Sequence, residues 1–313
     1  MKKSLVYFIL LLILAITGCA SEDTTDEQNN TDEKLLVYTT VYPLQYFTEE
    51  IGKEFVTVET IYPPGSDEHT FEPSQKDMIQ LAESDLFIYV GLGLEGFVDK
   101  AKQTLENEKV SLLAAGEHLH LDENEGQGDD NHADEEHGHD HGDIDPHVWV
   151  DPLYAKELAE AIKNELTEQL PEQKEQLESN YEKLAKKLDE LDSQFENMAS
   201  QSKQKEFIVS HAAYGYWERY GLEQISISGM SSSSEPTQKE LKQIILTAKE
   251  HNLKYIFFEQ NVSSRLAEIV QDEMNAEPLL LHNLSVLTDE DISKERTYFS
   301  IMEDNLKALE TAL

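Results

Sequence analysis

Three histidines stand beside predicted strands, in settings suited to metal binding. His69 lies in a proline- and glycine-rich turn that leads from a strand into a helix, His147 lies in the rigid turn 145–152, and His211 directly follows the strand 207–210. Neutral imidazole is a preferred ligand of zinc, and three imidazoles with one oxygen complete a tetrahedral site. Each histidine alone is typical of a hydrogen-bonded loop residue. Because ligands bind at the carboxyl ends of parallel strands, the three together predict a metal site.

A second group of histidines lies in an acidic segment. Residues 117–145 contain twelve Asp or Glu, no Lys or Arg, and six of the eleven histidines. The segment has too little apolar content to fold, and flexible ligands lose conformational entropy on binding, so we expect weaker metal sites than a preformed one. We interpret it as a zinc collector or a sensor of excess zinc; a solvated insertion of biased composition is the alternative. The candidate ligands of this low-affinity loop are His118, His120, His132, His137, His139 and His141.

The charge of the chain excludes one class of function. The 313 residues include 63 Asp and Glu against 25 Lys and Arg, for a formal net charge of -38. Such a surface repels phosphate backbones, so we expect no nucleic-acid partner. Eighteen of the negative charges lie in residues 22–33 and 117–145. The rest of the chain is less extreme and has enough apolar side chains to bury a core.

The amino terminus predicts export and lipid attachment. Two lysines precede an apolar run at 5–16, which is too short to span a bilayer of about 30 Å and is typical of a secretory signal peptide. The run leads to Cys19, the only cysteine, in a sequence that resembles the lipobox of bacterial lipoproteins. We expect residues 1–18 to be removed, Cys19 to be lipidated and residues 19–33 to form a solvated acidic tether. An ordinary signal peptide with an incidental cysteine is the alternative.

The order of strands and helices predicts an α/β fold of two lobes. Short β-rich runs alternate with amphipathic stretches in both halves, a pattern typical of parallel sheets flanked by helices. Predicted helices are 43–53, 73–83, 237–252, 262–273 and 297–313, and predicted strands are 35–39, 56–61, 86–90, 110–113, 207–210, 224–228, 255–259 and 279–281. We expect an N-terminal lobe at 34–170 and a C-terminal lobe at 204–313.

The segment between the lobes predicts one long helix. Residues 171–203 contain no internal Gly or Pro, and apolar residues recur at alternating spacings of four and three from Leu177 to Met198. Such a seam would suit a coiled-coil dimer, but packing against the lobes of its own chain is the simpler interpretation. We therefore expect a monomer in which a rigid linking helix restricts hinge motion.

Three blocks of sequence resemble signature segments of the metal-binding lipoproteins of bacterial zinc and manganese ABC importers. The blocks are 64–74, 145–152 and 210–222. The resemblance extends over nearly the whole mature chain and includes the lipobox, the histidine-rich loop and the long helix. It implies an extracytoplasmic solute-binding receptor, lipid-anchored to the bacterial cell membrane, with a metal between two α/β lobes. The implied ligand is Zn(II), transported as cargo, and the implied partner is the membrane subunit of an ABC permease; no enzymatic activity is implied.

The resemblance also implies which residues bind the metal. Carried over by motif, His69 and His147 come from the first lobe and His211 from the second. Manganese-selective relatives tend to have a carboxylate, a harder ligand, at the third position. His211 therefore indicates the zinc subgroup.

The fourth ligand stays open between three candidates. Many relatives supply an acidic residue from the loop after the last strand, but residues 281–288 contain no carboxylate here. Glu68, His282 or a water molecule could take this place, and we favour Glu68 or water. His251 and His282 are otherwise interpreted as structural, and Glu259 either orients a ligand imidazole or is a surface carboxylate at a strand end.

Three other functions compete with zinc delivery. A manganese receptor of the same importer class and a surface adhesin would use the same fold. A lipid-anchored zinc hydrolase would need an open coordination position and a general base, and the chain has no His-Glu-x-x-His pattern. We therefore expect no enzyme.

Overall fold

Two parallel sheets of four strands each form the frame of the described chain. The computed structural model describes residues 34–121, 144–231, 233–261 and 264–313. Several predicted features lie outside these residues: the signal peptide, the tether, Cys19, His132, His137, His139 and His141. Within the described ranges, no helix combines the length and apolar character needed to cross a membrane.

The first sheet belongs to the amino-terminal lobe. Its elements are β1 (Leu35–Thr39), α1 (Tyr42–Gly52), β2 (Val56–Thr60), α2 (Gln75–Ala82), β3 (Leu86–Tyr89), α3 (Val98–Leu105) and β4 (Ser111–Ala114). The strand order is β2-β1-β3-β4, and every pairing is parallel. The four predicted strands are confirmed to within one residue, whereas α3 was not predicted. Parallel pairing brings the carboxyl ends of the strands to one edge.

Two helices lie between the first and the second sheet in the chain. They are α4 (Pro152–Gln169) and α5 (Lys174–Gln201). The predicted helix at 171–203 begins later than expected, because Pro171–Gln173 form a separate 3₁₀ turn. A proline disfavours helical backbone angles at the residue before it, and Leu170, which precedes Pro171, has φ -127° and ψ 62°, outside the helical region. The predicted seam of α5 is buried against α1, α4 and α9 (Tyr298–Ala312) of the same chain, so the intramolecular interpretation holds.

Helix α4 was missed by the sequence analysis, although its start signal is present. Asp151 caps the helix by accepting a hydrogen bond from the N–H of Leu153 at 2.8 Å, and Pro152 occupies the first turn. Its apolar face is buried against α1 and α5. The helix therefore fixes the segment that ends at Asp151, which includes His147.

The second sheet belongs to the carboxyl-terminal lobe. Its elements are β5 (Glu206–His211), β6 (Glu223–Ser228), α6 (Gln238–Glu250), β7 (Tyr255–Phe258), α7 (Arg265–Met274), β8 (Glu277–Leu280) and α8 (Asp289–Ser293), followed by α9. The order β6-β5-β7-β8 is again parallel throughout. The four predicted strands are confirmed to within two residues, whereas α8 was not predicted.

Reciprocal caps explain where two predicted helices begin. The hydroxyl of Ser74 accepts from the N–H of Asp77, whose carboxylate accepts from the N–H of Ser74 at 2.8 Å. Thr237 and Glu240 repeat the arrangement at the start of α6. Each box satisfies two backbone donors that a helix leaves free, and so fixes where α2 and α6 start.

Buried aromatic side chains tie the two lobes together. The indole N–H of Trp149 donates to the carbonyl of Asn283 at 2.7 Å, and the hydroxyl of Tyr298 donates to the carbonyl of Trp149 at 2.9 Å. The hydroxyl of Tyr216 donates to the carbonyl of Asp145 at 2.5 Å. One contiguous apolar core runs through both lobes. The lobes are thus fixed to each other by packing and by hydrogen bonds with no access to water.

The seam of α5 predicts a large effect of a small substitution. Leu188 is fully buried in it, so Leu188→Ala should lower the free energy of unfolding by about 2–5 kcal/mol through lost apolar contact and the cavity left behind. Urea denaturation followed by circular dichroism measures this. Glu182→Ala, at an exposed position of the same helix, should change stability by no more than about 0.5 kcal/mol. Equal effects of the two substitutions would contradict the buried seam.

Candidate metal centre

Glu68, His69, His147 and His211 converge between the two lobes. One ligand atom from each lies within 4.8 Å of the others. The Nε2 atoms of His69 and His147 are 3.1 Å apart, and those of His147 and His211 are 3.4 Å apart. Two nitrogens bound tetrahedrally to one zinc ion at about 2.0–2.1 Å would lie about 3.3 Å apart. These two pairs of nitrogens therefore already have about the spacing that a tetrahedral ion requires.

The turn that carries His69 is held in shape by its own backbone. Gly65 adopts a left-handed conformation with φ 72°, and its N–H donates to the carbonyl of Leu287 at 3.0 Å in the other lobe. The carboxylate of Asp67 accepts from the N–H groups of His69 and Thr70, each at 3.0 Å. Both interactions fix the position of His69 before any ligand is present.

A carboxylate orients His147 from behind. The Nδ1 atom of His147 is 2.7 Å from Oδ1 of Asp145, and the same oxygen accepts from the backbone N–H of His147 at 2.9 Å. A side chain at Gly215 would meet Oδ2 of Asp145 at 2.9 Å, so only glycine allows this approach. A proton on Nδ1 leaves the Nε2 lone pair directed into the cluster.

His211 has the same support in the second lobe. It is the last residue of the central strand β5, and its Nδ1 atom is 2.6 Å from Oε1 of Glu259. The hydroxyl of Ser210 donates to the same oxygen. Glu259 is buried, so of the two sequence interpretations the orienting contact is confirmed and the surface carboxylate is wrong. The role of Asp145 was missed, although its spacing two residues before His147 was visible.

The protonation of the cluster follows from burial and from these carboxylates. Burial, with the neighbouring His147 and His211, lowers the pKa of His69 to about 4, so its lone pair is free at neutral pH. Burial also opposes charge on His211, but the carboxylate of Glu259 outweighs it and raises the pKa of His211. The reverse holds for Glu259, whose pKa is lowered by His211 despite burial. Burial raises the pKa of Glu68.

The fourth-ligand candidates separate clearly in space. Glu68 is buried inside the cluster. His282 is also buried but lies elsewhere: its Nε2 atom is 3.3 Å from Asp291, and its Nδ1 atom accepts from the N–H of Leu284 at 2.9 Å. Of the two protein candidates, only Glu68 stands among the three histidines.

The remaining histidines take structural or peripheral places. His251 ends α6 with Nδ1 2.8 Å from Glu206. His118 and His120 are exposed and lie outside the cluster, and the Nδ1 atom of His120 is 3.3 Å from the carboxylate of Glu157. The structure describes both ends of the predicted loop 117–145. Residues 117 and 118 belong to the 3₁₀ turn Ala115–His118, and Asp145 is buried behind His147 because its carboxylate finds two donors there.

Access to the cluster runs through a cleft of about 910 Å³. His69, the only partly exposed member of the cluster, lines it together with Leu92 and Ile144 of the first lobe and Met230 of the second. The other three cluster residues are buried. An ion that enters from this side would therefore meet His69 first.

A buried carboxylate shapes one wall of the cleft. Residues 91–93 have φ values of 79°, 54° and 82°, a left-handed run that costs conformational energy at Leu92. Glu95 holds the start of this run by accepting from the N–H groups of Val90 and Gly91 at 2.8 and 3.0 Å and from the hydroxyl of Thr40 at 2.8 Å. Burial raises the pKa of Glu95 to about 6.

Two parallel α/β lobes around a buried cluster of histidine and carboxylate side chains define a class, the two-lobed solute-binding proteins with a candidate metal site between the lobes. The family described as zinc-uptake complex component A, periplasmic (ZnuA) matches residues 37–312. The chain belongs to this family. The family name describes a component of an uptake complex and not a catalyst.

Known relatives are consistent with this assignment. The zinc-binding lipoprotein AdcA of Streptococcus pneumoniae is 36% identical over 99% of this chain and 60% of its own length. A crystal structure of its Zn(II)-bound ZnuA-like domain superposes with a TM-score of 0.72 at 34% identity, covering 89% of this chain and 98% of that one. The high-affinity zinc uptake system protein ZnuA of Bacillus subtilis is 33% identical over 100% of this chain and 98% of its own length.

One similar structure is named for a second activity. The laminin-binding protein Lmb of Streptococcus agalactiae, described as bifunctional with adhesin and metal-transporting activity, has a TM-score of 0.77 at 28% identity and covers 89% of this chain and 99% of its own. The chain spans about 60% of the length of the streptococcal AdcA proteins that it matches.

The raised pKa of Glu95 predicts a pH-dependent difference in stability. A carboxyl with a pKa of about 6 when folded and 4.5 when unfolded binds its proton more tightly in the folded state. Its stabilising contribution is therefore full below pH 4.5 and is lost as pH rises through 6. Between pH 4 and pH 7 the wild type should lose about 2 kcal/mol relative to Glu95→Gln.

Urea denaturation of both metal-free proteins at the two pH values measures this difference. Glu182→Gln, which alters an exposed carboxylate, is the matched control. If the difference in unfolding free energy between the wild type and Glu95→Gln is the same at pH 4 and pH 7, burial does not raise the pKa of Glu95.

Proposed function

We propose that this protein is the extracytoplasmic receptor of a zinc importer: it binds one Zn(II) ion tightly at Glu68, His69, His147 and His211 and delivers it to the membrane permease of an ABC transporter. The observation that carries the proposal is the convergence of three Nε2 atoms and one carboxylate oxygen within 4.8 Å of one another. Membership of the ZnuA family and the zinc-bound state named for a similar structure support it.

Four protein donors suit a receptor better than a hydrolase. A catalytic zinc keeps one coordination position for water, whereas a site with four protein ligands is closed. Here three of the four donor residues are buried and the fourth is only partly exposed. The zinc ion is thus held as cargo and has no position left for an attacking water.

The donor set also favours zinc over manganese. Imidazole suits zinc, whereas manganese prefers carboxylate, carbonyl and water oxygens in an octahedral arrangement. The cluster offers three nitrogens and one carboxylate, and His147 lies at about tetrahedral spacing from the other two histidines. Manganese would need further oxygen ligands, so we expect it to bind more weakly.

We extend the proposal to the acidic histidine segment as a set of weaker zinc sites. Its candidate ligands are His118, His120, His132, His137, His139 and His141. The first two are exposed, and His120 already contacts a carboxylate. An acidic segment attracts divalent cations, and ligands that are not preformed into a site lose conformational entropy on binding, so these sites would raise the local zinc concentration without retaining the ion.

Attachment and location follow from the amino terminus and the family. Cys19 after an apolar run, and the lipoprotein named among the relatives, support lipidation of this cysteine. Two acyl chains would anchor the mature chain stably to the outer face of the cell membrane. There it would act as a monomer beside its permease. Adhesion to a host protein stays a prediction.

Zinc titration of the full chain in detergent micelles tests the ligand set. Alanine in place of His69, His147 or His211, or glutamine in place of Glu68, should weaken the tight site by more than about 100-fold, beyond the 10–100-fold typical of an outer partner. Isothermal calorimetry with a competing chelator measures this. His251→Ala, which removes a histidine bonded to Glu206, should leave the affinity unchanged.

Each result bears on one residue or one site. Unchanged affinity in any of the four variants would remove that residue from the ligand set. Deleting residues 118–141 should abolish the weak binding and leave one tight ion per chain. Loss of the tight ion on this deletion would contradict the separation into two kinds of site.

Replacing the lipidation site should change where the protein is found. We expect Cys19→Ser to shift the protein from the membrane fraction to the medium or the soluble extracytoplasmic fraction. Serine cannot carry the thioether-linked lipid, and the apolar run of twelve residues, even if it is not cleaved off, is too short to span the bilayer. Fractionation and metabolic labelling with a radioactive fatty acid measure this. Labelling of the serine variant would show that another residue is acylated.

A further inference from the structure

Asn283 contacts two carboxylates of the candidate metal centre, Glu68 and Glu259, and neither the motifs nor the ligand set includes it. It lies in the loop after β8 and is completely buried. Its side-chain nitrogen Nδ2 is 2.8 Å from Oε2 of Glu259 and 3.4 Å from Oε1 of Glu68. Glu68 is a proposed ligand from the first lobe, and Glu259 supports His211 in the second.

The orientation of this amide is determined by its oxygen. Oδ1 of Asn283 accepts from the N–H and the hydroxyl of Ser285 at 3.1 and 2.9 Å and from the amide of Gln260 at 2.9 Å. Three donors around one atom identify it as the oxygen. The NH₂ group must then face the two carboxylates.

The backbone of Asn283 is fixed as firmly as its side chain. Its carbonyl accepts from the indole of Trp149, two residues after His147, and its N–H donates to Gln260 at 3.3 Å. One residue of the second lobe therefore touches Glu259, which supports His211, the carboxylate of Glu68, and Trp149 in the segment that carries His147. A buried residue with every polar group engaged is resistant to displacement.

A neutral donor is the group that this position requires. Glu68 and Glu259 are both buried, so a carboxylate oxygen of either residue that lacked a hydrogen-bond donor would destabilise the folded protein. An amide NH₂ satisfies one oxygen of each without adding charge. A cationic side chain would repel the metal, and a carboxylate would add a third negative group beside the first two.

We propose that Asn283 is a positioning residue of the zinc site: its NH₂ group holds the carboxylates of Glu68 and Glu259 so that Glu68 presents one oxygen, and His211 its Nε2 atom, to the metal. The inference rests on the proposed function, because it assigns a partner to a proposed ligand. Held in this way, Glu68 cannot turn to chelate through both oxygens. The coordination stays at four.

The first test compares two alanine substitutions at buried asparagines in the full chain. Asn283→Ala should weaken zinc binding about 10–100-fold, as expected for the partner of a ligand. Asn180→Ala is the control, because Asn180 is also buried and donates to the carbonyl of Ile51 at 3.0 Å, remote from the metal centre. It should leave zinc affinity at the wild-type value.

Cobalt spectroscopy separates positioning from a general loss of structure. Co(II) bound to the wild type should show the intense visible bands of four-coordination, and these should weaken in Asn283→Ala as Glu68 rotates or water enters. Asn283→Asp keeps the volume and the oxygen that faces Ser285 and Gln260, but loses the donor. We expect the cobalt spectrum of Asn283→Asp to change in the same way. This variant therefore still tests the role of Asn283 if Asn283→Ala does not fold.

The outcomes distinguish the inference from the function on which it rests. A wild type that binds neither zinc nor cobalt tightly would overturn the proposed function itself. A wild type that binds both, with Asn283→Ala and Asn283→Asp retaining its zinc affinity and its cobalt spectrum, would overturn the role of Asn283 alone. Altered spectra in both variants, with a normal spectrum in Asn180→Ala, support it.

Discussion

The convergence of three imidazole nitrogens within 4.8 Å of one another, from segments far apart in the chain, is the constraint on which the structure depends. An imidazole ring binds a metal only if the ring is turned correctly and the nitrogen facing the metal is unprotonated. A buried carboxylate meets both requirements for two of the rings, Asp145 for His147 and Glu259 for His211. Each carboxylate holds its ring in place and accepts the Nδ1 proton, which leaves the Nε2 lone pair facing the cluster. Those carboxylates are in turn held by further hydrogen bonds.

Such an arrangement tolerates little relative movement of the lobes. His147 belongs to one lobe and His211 to the other, so a displacement of 1 Å between lobes would spoil the spacing of their nitrogens. The shared apolar core, the seam of α5 and the bonds that join Trp149 to Asn283 and Tyr298 oppose that displacement. Rigidity is thus a requirement of the site, and the long helix is one of the elements that supply it.

Charge acts at two levels in this protein. The net charge of -38 attracts divalent cations, and eighteen of the negative charges lie in residues 22–33 and 117–145. The cluster contains three histidines and one glutamate, so the proposed preference for zinc depends on neutral imidazole nitrogens. The depressed pKa of His69, the residue that faces the cleft, keeps its nitrogen available at neutral pH.

The sequence by itself determined the eight strands, the long helix and the three histidines, because hydrophobic periodicity and strand-edge motifs are local properties. It left the fourth ligand open with a preference for Glu68 or water over His282, missed α4, and did not identify Asp145 or Asn283 as partners of the cluster. The start of α4 and the spacing of Asp145 from His147 are local signals, whereas the fourth ligand and the role of Asn283 depend on contacts between segments far apart in the chain. Only tertiary packing decides this, since it buries Glu68 among the histidines and commits His282 to Asp291.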